Sequence, residues 1–133
     1  MLECGLATLL QVGLISLSLA SPQTAGVLRV RESALRKRAT RVETPRFPGD
    51  ALKRGSNGVA VVSIEVGESG RVTSVQVLQA PDSAISNAVS EAIYKWTFKP
   101  VTHEGKPVRL IGKLTFYFLL KHGKPRVESP KFD

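Results

Sequence analysis

Ile85, Ala88, Val89, Ala92, Ile93 and Trp96 fall at i, i+3, i+4, i+7, i+8 and i+11. Only a helix of 3.6 residues per turn brings those positions onto a single face. Pro81, Asp82 and Ser83 stand ahead of the stripe, and an aspartate or serine there supplies an N-cap. The segment ends at Lys99-Pro100, because proline disfavours helical geometry in the residue before it. Such a helix must lay its stripe on something apolar. Trp96 completes the stripe and reads as core; the alternative is an aromatic that touches a partner.

The surface it needs is written on either side of it. In residues 58–66, Ala60, Val62, Ile64 and Val66 alternate with Val59, Val61, Ser63 and Glu65, the period-two pattern of a strand. Gly67-Glu68-Ser69-Gly70 makes a hairpin loop, and the valine-rich residues 71–79 return as a second strand. A third strand spans residues 108–120 and has the strongest alternation in the chain. Val108, Leu110, Leu114, Phe116, Phe118 and Leu120 fall on one face, interrupted by Gly112. Arg109, Ile111, Lys113, Thr115, Tyr117 and Leu119 fall on the other. Phe47-Pro48 opens the folded part, since proline suits a first helical turn, and Gly55 closes that short helix.

Both ends read differently. Residues 1–20 contain an apolar run and finish in Ser18-Leu19-Ala20, which fits a signal peptide cut after Ala20. An uncleaved short membrane anchor and a buried core helix are the alternatives. Residues 21–46 read as a basic, flexible linker: Arg29, Arg31, Arg36, Lys37, Arg38, Arg41 and Arg46 face only Glu32 and Glu43. These charges make a solvated tether or a contact with an anionic membrane surface. Nucleic acid is excluded as a partner, because no aromatics are interleaved and an exported chain would not meet it. Residues 121–133 carry no pattern and read as a disordered tail.

Catalysis finds no footing. Cys4 is the single cysteine, which excludes an internal disulfide and cysteine-built zinc sites. His103 and His122 have no cysteine or paired carboxylate beside them, Gly67 and Gly70 are not followed by Lys-Ser or Lys-Thr, and no serine stands in a G-x-S-x-G setting. No cofactor and no metal are expected, and the chain is read as a non-enzyme.

The order helix, strand, strand, helix, strand carries a set of pieces in sequence. These are Phe47-Pro48; Arg54-Gly55 and Gly58; Gly70-Arg71-Val72; Trp96-Thr97-Phe98-Lys99-Pro100; and Gly105-Lys106-Pro107-Val108. Over residues 47–120 this set resembles the C-terminal domain of TonB, the energy transducer of Gram-negative bacteria. The resemblance implies an α+β fold of order α-β-β-α-β, with a three-stranded antiparallel sheet and two helices packed on one face. It implies a domain in the periplasm, secreted or anchored in the inner membrane. Such domains bind an extended segment of an outer-membrane transporter by strand addition. The docking residues would be Arg109, Ile111, Lys113, Thr115, Tyr117 and Leu119. Inner-membrane motor proteins become partners if the chain stays anchored, and a homodimer can form through the same open edge. The alternative function is a periplasmic adaptor that binds another envelope protein without energy coupling. The chain departs from full-length transducers in having no long Pro-rich spacer.

Overall fold

The computed structural model describes residues 26–132. The expected signal peptide or anchor lies outside the described residues. Strand β1 (Val27–Arg29), helix α1 (Glu32–Lys37) and strand β2 (Ala39–Arg41) come first. Helix α2 (Gly49–Lys53), strands β3 (Gly58–Val66) and β4 (Val72–Gln79) and helix α3 (Ser83–Ile93) follow. Strands β5 (Thr97–Phe98), β6 (Val101–His103), β7 (Lys106–Lys121) and β8 (Lys124–Glu128) complete the chain.

The central pairing is β3 with β7, antiparallel and unbroken from Gly58 opposite Phe118 to Val66 opposite Leu110. β4 lies on the other side of β3, antiparallel, with its register broken twice. The alternation read from the sequence holds in both long strands. Ala60, Val62, Ile64 and Val66 share the buried face with Leu110, Leu114, Phe116 and Phe118. α3 sets Ile85, Val89 and Ile93 on that face, and α2 joins the same core through Ala51. Trp96 is 2% exposed and stands edge-on to Phe116, so it is core rather than a partner contact. Its indole N–H donates to the Glu43 carbonyl at 2.8 Å, which gives the buried polar atom its partner.

Asp82 is the N-cap of α3 and accepts from the Ala84 amide at 2.7 Å. It also accepts two bonds from the Arg54 guanidinium and one from Ser56, tying the end of α2 to the start of α3. The Arg54 hydrogen bonds, with those of Ala84 and Ser56, hold the Asp82 carboxyl far below the usual carboxylate range. Gly70 closes the β3–β4 turn at φ 90°. A Cβ there would run into the Phe98 carbonyl oxygen, while the Phe98 amide donates back to Gly70 O at 2.8 Å.

Three expectations need correcting. The sheet has six strands, not three, and β2 pairs β5 in a separate two-stranded ribbon. The physical reason is the length of β7, 16 residues, which holds β3 on one side and short segments from both chain ends on the other. The stretch read as a flexible linker contains β1, α1 and β2 and sends Leu35 into the core at 0% exposure. The stretch read as a disordered tail contains β8, antiparallel to β7, with Val127 against the core.

Candidate functional site

The six residues marked as a docking set lie together on β7, as alternation requires. Their side chains occupy the face opposite α3. Arg109 is tied there to Glu65, Nη1 to Oε2 at 2.7 Å, and Lys113 is exposed beside Ser63 on β3. The backbone of these odd-numbered positions points out of the sheet, away from β3. Ile111 O accepts from the Val30 amide at 2.9 Å. Both Thr115 backbone groups meet α1 rather than β3. In an antiparallel ladder this orientation recurs at every second residue, so it extends to Lys113 between them.

The edge so formed is not open. β1 lies along its first part in parallel, with Val27, Leu28 and Arg29 opposite Arg109, Leu110 and Ile111. β8 covers the last part, from Tyr117 opposite Glu128 to Lys121 opposite Lys124. Between them no strand among the described residues reaches the outer side of β7, and side chains take over. The Thr115 amide donates to Glu32 Oε2 at 2.7 Å and the Thr115 hydroxyl to Glu32 Oε1 at 2.9 Å. The Thr115 carbonyl accepts from Arg36 Nη2 at 2.6 Å. One carboxylate and one guanidinium thus do for Thr115 what a neighbouring strand would do.

These two side chains are held by each other and by the core. Glu32 and Arg36 are one helical turn apart and pair at 2.9 Å, each side chain 16% exposed. The Arg36 guanidinium lies 5.0 Å from the Phe116 ring centroid and 5.8 Å from that of Trp96, within cation–π range. Its Nη1 donates to Ser129 Oγ at 3.2 Å, just past β8. α1 comes this close because β7 has no side chain at Gly112. A Cβ there would sit 2.8 Å from Leu35 Cδ2 and 3.0 Å from Val30 O. The break in β7's apolar face is therefore the notch through which Leu35 enters.

Glu32, Leu35 and Arg36 were absent from the docking set read from sequence. The available signals were the Glu32–Arg36 spacing of four, the single leucine in a basic run and the missing side chain at Gly112. His103 and His122 stand apart, in β6 and in the turn between β7 and β8. Among the described residues, no three His, Cys, Asp or Glu side chains gather to hold a metal ion, and no helix is long and apolar enough to cross a membrane.

Known proteins share this architecture. The model of the Gram-negative bacterial TonB protein C-terminal matches residues 43–120. Protein TonB of Yersinia enterocolitica is 31% identical over 71 residues, which is 53% of this chain and 28% of that protein. Protein TonB of Pseudomonas aeruginosa is 30% identical over 82 residues, 61% of this chain and 24% of that protein. The chain thus aligns with about a quarter of the length of these curated relatives. The solution NMR structure of the Pseudomonas aeruginosa TonB CTD superposes with a TM-score of 0.53 at 30% identity, over 62% of this chain and 85% of that one. With the family matched over more than half of its length, the chain belongs to the Gram-negative bacterial TonB protein C-terminal family.

Proposed function

We propose that this chain is a periplasmic TonB-like module that binds an extended segment of an outer-membrane transporter as an added strand on β7, and so takes part in energy-coupled transport. Family membership supports the class of function. The observation that carries the site is the backbone of β7: at Ile111 and Thr115 its hydrogen-bonding groups face away from β3. A strand added there gains main-chain hydrogen bonds, and the side chains of residues 109–119 discriminate between segments.

The test is binding of the full chain to a peptide copied from an extended periplasmic segment of an outer-membrane transporter. Thr115→Pro removes the amide that faces outward, and proline donates no ladder bond. Circular dichroism establishes first that the variant is folded. The wild type should bind and the folded variant should not; binding of both at equal strength places the partner elsewhere. Cell fractionation with N-terminal sequencing decides the compartment. A mature start at Ser21 means secreted, whereas an intact Met1 in the membrane fraction means anchored, the form in which motor proteins become partners.

A further inference from the structure

β1 already sits on β7 as an added strand would. We propose that residues 27–36 are a built-in competitor for this edge. On this proposal a partner that docks on β7 is an extended segment running parallel to it, which displaces β1 and α1 and brings its own carboxylate to Thr115. The proposal rests on the strand-addition reading of β7 given above.

Its first support is the manner of attachment. β1 makes three paired positions and continues only through the Val30 amide to Ile111 O. Beyond Val30 the backbone leaves the edge and the Glu32–Arg36 pair stands in for it at Thr115. Such contacts can be exchanged for a real strand without disturbing β3, whose own pairing with β7 is on the opposite side and complete.

The second support is the fit between cover and sheet. An open cleft of about 730 Å³ runs beside the seam, lined among others by Arg29, Arg31, Glu32, Ser63, Ile111 and Lys113. Close packing along the seam rests on Leu35 at the Gly112 notch, on Val30 against the core and on Arg36 over Phe116 and Trp96, and the open cleft runs beside these contacts. A seam flanked by an open cleft stays accessible to solvent along its length, unlike a close-packed protein interior.

The third support is what the cover tells of the partner. Val30 packs against the core and Glu32, two residues on, bonds Thr115. When β1 and α1 leave, Arg29 and Arg31 leave with them and Lys113 remains on the exposed face. The edge then favours a parallel segment with an apolar residue in Val30's place and an acidic residue two positions later.

The experiment uses the full chain, a synthetic peptide copying residues 26–37, and the variants Glu32→Ala and Arg36→Met. Arg36→Met keeps an apolar stem over Phe116 and Trp96, so it decides the matter if Glu32→Ala proves unfolded by circular dichroism. Glu32→Ala removes the acceptor of the Thr115 amide and should raise hydrogen exchange there by roughly tenfold or more, whereas Arg36→Met, which loses the bond to the Thr115 carbonyl, is read by peptide binding. Amides of β3 should not change. The peptide should bind the variants about tenfold more tightly than the wild type, the same factor by which the competitor has been weakened. A peptide with its own glutamate changed to alanine should lose that advantage. Unchanged exchange at Thr115 in folded Glu32→Ala would overturn the proposal, as would the absence of any gain in peptide binding by the folded variants. Because the peptide copies this chain, its failure counts against the competitor alone; failure of a transporter segment on the uncovered variants counts against the proposed function.

Discussion

The sheet has two outer edges, and they are treated in opposite ways. β7 runs opposite β3 without a break in register, and its outer side is met by β1, by Glu32 and Arg36, and by β8. β4 has two register shifts against β3, and among the described residues no strand pairs along its outer side beyond the Arg71–Thr97 bridge. β4 contains no proline and no charge, and Leu78 is 47% exposed on it. A regular edge is a template for further pairing, whereas bulges twist a strand and spoil the template. The irregular edge can therefore be left bare, while the regular one carries a cover. The capacity of an edge to take a further strand and its need for protection have the same source, an uninterrupted ladder.

Leu35→Ala should break this contrast most strongly. The side chain is fully buried and anchors the cover, so its loss should cost about 2–5 kcal/mol by thermal or urea unfolding. Amide exchange should rise at Ile111 and Thr115 before it rises in β4. Gly112→Ala works from the other side of the same contact. Its Cβ must push Leu35 and the Val30 carbonyl away, which should cost about 1–3 kcal/mol. Combined with Leu35→Ala, part of that cost should disappear, because the two changes share one space; a double-mutant cycle reads the coupling.

Acid should sharpen the contrast on the β4 side. The folded Asp82 carboxyl lies well below the usual value of 3.8, because Arg54, Ala84 and Ser56 bond its charged form. A depressed carboxylate adds stability that is complete above the unfolded value and is lost as pH falls toward the folded one. Asp82→Asn should therefore flatten the dependence of unfolding on pH below about 4. α3, which packs beside β4, should loosen in the wild type over that range. The smallest effect belongs to Gln76→Lys on the exposed middle of β4, where surface changes usually stay within about 0.5 kcal/mol. It should leave binding at β7 untouched; a loss of binding would mean that partners dock on β4.

What could be read from the sequence follows the same division. β3, β4, α3 and β7 each repeat a period long enough to be counted, and Asp82 and Pro48 mark helix starts by local chemistry. That Arg109, Ile111, Lys113, Thr115, Tyr117 and Leu119 share one face of β7 was legible, because alternation alone gathers them. The cover was not. β1, α1 and β8 have three, six and five residues, too short to show a period, and they are rich in charge. They form because β7 is long and leaves its side free, a property of the assembled sheet. Glu32 and Arg36 look like an ordinary helical ion pair in the sequence, and only the neighbouring Thr115 gives them another role.

Arg36 touches the ring of Phe116, the carboxylate of Glu32, the carbonyl of Thr115 and the hydroxyl of Ser129. The leading and trailing segments of the chain are thereby clasped by one side chain. A clasp of this kind makes the path of a mechanical load matter. Tension arriving along the chain ahead of Gly26 reaches β1 first and β3 much later. It would strip the three β1 pairs and then pull on Arg36, loosening the hold on Ser129 while the longer β3–β7 ladder is still intact. A single-molecule pull on residue 26 should accordingly show a small early event before the main rupture, and Arg36→Met should bring that event to lower force.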